Sequence, residues 1–172
     1  MRKQRAEAAH SQHTRRRIGL LRKQLDELYI RADPRSIDDP ELASDLARYL
    51  CVRVAGFFEQ ATGLILRDHC EKGSWGATQT FALSWLERIP NLRPDAFATL
   101  IGKFDSALAQ EAKELLSAEE RGGTLNALIG IRNDIAHGKN QGISREQAWS
   151  YYEVVTFMVD WLESKLATPV AA

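Results

Sequence analysis

Residues 39–70, DPELASDLARYLCVRVAGFFEQATGLILRDHC, decide the fold. Asp39 offers an N-cap acceptor, Pro40 suits the first helical position, and Glu41 places an acid in the positive first turn. Leu46, Leu50, Val54, Phe57, Phe58, Ala61, Leu64 and Ile65 follow at helical spacing. The stretch reads as one long helix from Pro40 to about Cys70, ended by Gly73, with an apolar face wide enough to be the central packing element.

The flanking sequence is helical as well, with no strand-like alternation. Ile18, Leu21, Leu25 and Leu28 give residues 13–31 one apolar face, and Asp33-Pro34-Arg35 breaks it. Residues 76–88 form a shorter helix with Phe81, Trp85 and Leu86, interrupted by Ile89-Pro90-Asn91. Pro94-Asp95 opens a segment to Leu116 that is either one helix or two. Ser117-Ala118-Glu119-Glu120 matches a capping box, although Gly122-Gly123 follow it, so the next helix is placed at 124–137. Ser144-Arg145-Glu146-Gln147 is a second capping box. It opens a last amphipathic helix through Trp149, Tyr152, Val155, Phe157, Met158, Trp161 and Leu166.

A chain of 172 residues, 44% hydrophobic and 27% charged, is long enough for one domain with a real core. No apolar run approaches the roughly 18 residues of a membrane span, and the first residues lack a secretory signal's apolar region. Cys51 and Cys70 form no CxxC pair and read as reduced thiols of a cytoplasmic protein, a disulfide being the alternative. The zero net charge conceals an asymmetry. Residues 1–23 hold eight Lys or Arg, among them Arg15, Arg16 and Arg17, against Glu7 alone; the rest holds fifteen basic and twenty-two acidic residues. Such an arm can hold a nucleic-acid backbone, form a solvated helix start, or lie against its own acidic body.

The chemistry concentrates in Arg132-Asn133-Asp134-Ile135-Ala136-His137, followed by Gly138. Arg132 shares a helical stripe with Leu125, Leu128, Ile129 and Ile135, so a permanent cation interrupts an apolar face and needs acceptors. Glu59 is the internal candidate; a phosphate, matched by the guanidinium fork, is the external one. Asn133 and His137 are four apart and share a side of the helix. Arg132 and His137 lie about 140° apart around it. They converge only if the last turn unwinds at Gly138 or if two chains each contribute, as in a two-fold dimer. A structural reading competes: an arginine paired with a carboxylate, and a histidine beside a helix C-terminus.

Other constellations are weaker. His10, His13 and His69-Cys70 match no closed zinc set, so no metal or other cofactor is expected. GxSxG, P-loop and GxGxxG patterns are absent. Trp149, Tyr152 and Trp161 sit at core or dimer spacing rather than as a base-stacking set. Lys139 and Asn140, just past the motif, are candidates for phosphate contact, together with Arg15, Arg16 and Arg17.

RNDIAHG, preceded by Leu128-Ile129-Gly130-Ile131, resembles the HEPN superfamily signature of Arg, a polar residue, then His after a short gap. Residues 49–59, YLCVRVAGFFE, resemble the second helix of RiboL-PSP-type HEPN proteins, and the order of helices fits. The resemblance covers about residues 40–166. It implies an all-α HEPN-like bundle, placed at 36–168; the charge count sets residues 1–35 apart as a basic N-terminal helix or arm, and residues 169–172 read as a disordered tail. The resemblance further implies a homodimer with a shared cleft and metal-independent endoribonuclease activity in a toxin–antitoxin or phage-defence role. An antitoxin protein is an implied partner besides RNA, and no membrane is. By position Arg132, Asn133 and His137 match the catalytic motif, with Glu59 in support. In that chemistry a ribose 2′-hydroxyl attacks the adjacent phosphate, and imidazole, whose intrinsic pKa is about 6.5, suits the proton transfers. Some HEPN members keep the fold without cleavage, so a noncatalytic interaction or RNA-binding module is the alternative.

Overall fold

The computed structural model describes residues 2–89, 91–139 and 141–166, with side chains from residue 11 onward. Seven α-helices follow one another among these residues: α1 (Arg2–Arg31), α2 (Pro40–Gly73), α3 (Gly76–Trp85), α4 (Pro94–Gly102), α5 (Ser106–Ser117), α6 (Arg121–Ala136) and α7 (Arg145–Leu166). No strand occurs among them, so the all-α expectation holds.

The start of α2 is built as its sequence dictates. The Asp39 carboxylate accepts from the backbone N–H groups of Glu41 at 2.8 Å and Leu42 at 3.4 Å, with Pro40 opening the helix. Leu50, Cys51, Val54, Phe58, Ala61 and Leu66 are fully buried. They pack chiefly against α7, then α1 and α6. By length and composition α2 is the one described helix that could cross a membrane. Its apolar surface is instead covered by its neighbours, making it the central strut of the bundle.

The N-terminal stretch packs into the bundle from Ile18 onward. Ile18, Leu25, Leu28, Tyr29 and Ala32 belong to the same core as α2 and α7. Among the described side chains, Arg15 and Arg22 follow the same three-to-four spacing as Ile18 and Leu25 and are tied to acids on α7. Arg15 Nε meets Glu163 Oε1 at 3.2 Å, and Arg22 pairs with Asp160. The Tyr152 hydroxyl donates to Asp26 Oδ1 at 2.9 Å, and Arg145 donates twice to the Tyr29 carbonyl. The apolar spacing, which runs unbroken to Tyr29, decided the packing; the charge count did not. Residues 167–172, including the expected tail, lie outside the described residues.

Two other junctions were ambiguous in sequence. Residues 94–117 are two helices, because Asp105 Oδ1 accepts from Ala107 N at 2.7 Å and Leu108 N at 3.2 Å and so starts α5 afresh. The Ser117–Glu120 capping box does not form. Ser117 Oγ donates back to the Lys113 carbonyl at 2.8 Å, and Glu119 and Glu120 turn left-handed with φ of 50° and 56°. Arg121 ties this reversal together by donating to the Leu115 carbonyl and to Glu119, its guanidinium lying 4.3 Å from the Phe157 ring. Motif helix α6 therefore starts at Arg121, ahead of the expected Thr124.

At α7, Ser144 Oγ accepts from Gln147 N at 3.1 Å, while the Gln147 amide donates to the Tyr151 hydroxyl instead of closing the box. Tyr152 stacks on Tyr29 with centroids 5.5 Å apart and meets Trp149 edge-on, while Trp161 packs near Phe97. These aromatics serve packing. Cys51 and Cys70 are buried free thiols. Helix α3 buries none of its residues; its buried anchor is Leu86, just past its end.

Candidate active site

Helix α6 is planted in the core by Leu125, Leu128 and Ile129, all essentially without exposure. Its last turn climbs out of that core. Arg132, Asn133, Asp134 and Ile135 are half-buried, while Ala136 and His137 are exposed. The exit from the helix is a Schellman closure. Gly138 takes φ +73°, its N–H bonds the Ile135 carbonyl at 3.0 Å, and the Lys139 N–H bonds the Asp134 carbonyl at 2.9 Å. Gly138 thus supplies the left-handed residue that an L side chain would resist.

The closure keeps α6 helical through Ala136, with the His137 N–H still bonded to the Asn133 carbonyl at 3.0 Å. Of the two routes by which Arg132 and His137 could meet, unwinding at Gly138 is therefore not taken. The two side chains leave one helix in directions about 140° apart.

Arg132 Nη1 donates to Asn133 Oδ1 at 3.1 Å. Asn91 Nδ2 donates to the same oxygen at 3.2 Å, pinning the segment after α3 to the motif helix. Two residues on, Arg93 Nη1 donates to Asn126 Oδ1 at 2.6 Å, strengthening that attachment. Glu59, on α2, is half-buried and lies where Arg132's charge acts on it, yet the two make no ion pair. Its Oε1 is buried with no hydrogen-bond partner. Burial pushes the Glu59 carboxyl above the ordinary glutamate range, and the Arg132 charge opposes that rise. Among the described residues no carboxylate forms an ion pair with Arg132, so most of its donors remain available.

The loop beyond the motif is internally braced. Asp134 accepts from Lys139 Nζ at 2.8 Å and from Gln141 Nε2 at 2.7 Å, and Arg48 on α2 donates to the Gln141 carbonyl. The Lys139 hydrogen bond, foremost, holds the Asp134 carboxyl below the usual carboxylate range. Lys139 thus anchors its own loop while remaining largely exposed. Asn140 lies outside the described residues. Of the three α1 arginines expected to touch RNA, Arg15 is paired with Glu163, Arg16 is exposed, and Arg17 borders a cleft that also includes Glu59.

Arg132 and Asn133 are thus bonded to each other, Glu59 lies within reach of the Arg132 charge, and His137 stands one turn beyond Asn133 at the end of α6. The participant missed in sequence is Asn91. Ile89-Pro90-Asn91 was legible as a helix break, but nothing local tells that Asn91 reaches a partner 42 residues away.

A model of the RiboL-PSP-HEPN family matches residues 13–168. The chain belongs to that family. No curated protein and no solved structure matched it. The family's extent includes most of α1, which the resemblance read from residues 40–166 had left out, and it agrees with the packing of Ile18 to Ala32 in the shared core.

Proposed function

We propose that this HEPN protein is a metal-independent endoribonuclease. The observation that carries the reading is Arg132: a half-buried guanidinium bonded to an amide and, among the described residues, to no carboxylate, which leaves its charge for a phosphate. In the reaction, the ribose 2′-oxygen forms a bond to the adjacent phosphorus and the bond from phosphorus to the 5′-oxygen breaks. The 2′ proton leaves to a base and the departing 5′-oxygen takes one up. The products are a 2′,3′-cyclic phosphate and a 5′-hydroxyl, with no water consumed. The exposed imidazole of His137 serves proton transfer, Arg132 offsets charge building on the phosphorane oxygens, and Asn133 orients the phosphate.

The divergence of Arg132 and His137 on an intact helix favours a homodimer whose two α6 termini share one cleft. Mixing Arg132→Ala with His137→Ala protein tests both points in EDTA. Each variant alone is inactive. If each site takes its arginine and histidine from different chains, mixed dimers carry one intact site, and activity returns to about a quarter of wild type. Inactive mixtures would exclude the shared site, and wild-type rates in either single variant would exclude the ribonuclease. A toxin or phage-defence role in the cytoplasm, restrained by an antitoxin protein, follows from the family reading. Growth arrest on expression, abolished by His137→Ala, tests it.

A second reading has its own support in the Glu59–Arg132 proximity. In a noncatalytic module, Arg132 would serve to neutralise a buried carboxylate, and Arg132→Ala would lower the melting temperature substantially without an RNA phenotype.

A further inference from the structure

Beside the motif, α2 floors a cleft of about 690 Å³ walled by α1 on one side and the segment after α3 on the other. Three α2 residues at four-residue spacing, Glu59, Gly63 and Arg67, run along it, so that Glu59 and Arg67 start about 12 Å apart along the helix axis. Gly63 lets the opposite wall close in: a Cβ there would stand 2.7 Å from Ile89 Cδ1. Leu64, Leu86 and Ile89 make the interior apolar, while Arg17 stands on the exposed α1 rim and Gln60 and Glu87 complete the polar edge.

The charges in this cleft are unsatisfied. Arg17 and Arg67 make no ion pair among the described residues, and Glu59 keeps a buried oxygen without a donor. Two unpaired guanidinium groups call for an anion, and a Glu59 carboxylate without a hydrogen bond among the described residues is free to turn to a pair of N–H donors, with an apolar slot between them. The volume falls within the range of about 300–1,000 Å³ that suits a ligand of nucleotide size. Among the four RNA bases only guanine presents two adjacent donors, N1–H and the N2 amine, on its Watson–Crick edge, and a carboxylate accepts both at once. RNA readers commonly take an unstacked base in this way.

We propose that the cleft is a guanine-nucleotide subsite of the RNA strand, with Glu59 reading the base edge and Arg67 and Arg17 holding phosphate. The inference rests on the ribonuclease reading for its ligand. Glu59 borders both the cleft and Arg132, and Ile89 lies two residues before Asn91, so the subsite adjoins the reacting centre. It makes guanine the base next to which the enzyme cuts.

The test uses single-stranded oligonucleotides carrying one guanosine, inosine, adenosine or cytidine in a fixed uridine tract, incubated in EDTA with wild type, Glu59→Gln and Arg67→Ala. Wild type should cut beside guanosine roughly tenfold or more faster than elsewhere, since a bidentate base contact discriminates on that scale. Inosine, lacking the N2 amine, should lose most of the advantage. Glu59→Gln should flatten the preference, a ratio that an indirect effect through Arg132 would leave alone, because such an effect slows all substrates alike. Arg67→Ala should raise KM and keep the preference. Cleavage indifferent to base, or a preference unchanged in Glu59→Gln, overturns the subsite and leaves the ribonuclease standing. If no RNA is cut, titration of the folded protein with GMP, IMP and AMP separates the two claims. Saturable binding of GMP alone, lost in Glu59→Gln, keeps the subsite and removes the ribonuclease; no binding removes both.

Discussion

Arg15 and Arg17 stand two residues apart on α1, about 200° around the helix, and face different chemistry. On the α7 side, Arg15 and Arg22 meet Glu163 and Asp160, and the charges cancel across a seam between the first and last helices. On the α2 side, Arg17 and Arg67 border a cleft and, among the described residues, make no ion pair, while Arg132 beyond it bonds an amide. Arg15, Arg22 and Arg17 of the N-terminal stretch therefore fall into two populations. The first two fasten the bundle, and Arg17 borders the cleft. A count of lysines and arginines cannot separate them; the direction in which each side chain leaves its helix does.

The sharpest test of this contrast is catalytic. Arg132→Ala and His137→Ala should each slow RNA cleavage by about 100-fold or more, read as initial rates in EDTA. His137→Ala should melt at the wild-type temperature, because its side chain is exposed. Next in size is the seam itself. Leu25 is 1% exposed in the core that holds α1 to α2 and α7, and Leu25→Ala should lower unfolding free energy by about 2–5 kcal/mol in urea titrations. A loss near zero would mean that α1 is an arm after all, and both populations would then be free.

Glu59→Gln probes the unsatisfied side through stability. The folded-state pKa of Glu59 is raised, so the ionised group opposes folding above that pKa, and the opposition fades as pH falls through it towards the ordinary glutamate value. Glutamine does not titrate. The variant should therefore melt higher than wild type at neutral pH, with the difference shrinking on acidification; a lower melting temperature at pH 7 would show that Glu59's charge stabilises Arg132 more than its burial costs. The smallest effect separates the neighbours on α1. Arg17→Ala and Arg67→Ala should each reduce the slope of log binding constant against log salt by about 0.7 for single-stranded RNA. Arg15→Ala should leave that slope unchanged and alter stability by under about 0.5 kcal/mol, as suits an exposed pair.

What the sequence made legible was local. Asp39-Pro40-Glu41 announces α2, and Gly138 announces the end of α6, because caps are decided by residues in immediate succession. Arg132, Asn133 and His137 were legible as a motif for the same reason. The charge pairing of α1 was not, since Arg15 and Glu163 are 148 residues apart. Nor was the cleft, which depends on Ile89 settling against the bare backbone of Gly63. The Ser117–Glu120 box misled because its pattern describes a helix start, whereas Arg121 ties those residues into a left-handed reversal.

Asn133 carries a consequence of its own. A side-chain amide has two settings, half a turn apart, that swap its oxygen and nitrogen. With Asn91 and Arg132 both donating to Oδ1, only one setting keeps both bonds, so the amide behaves as a rotor locked in place. Its NH₂ group is left turned from those donors with two hydrogens to offer, the right polarity for a phosphate oxygen and the wrong one for a base donor. Aspartate at this position would match it in size and reverse that polarity.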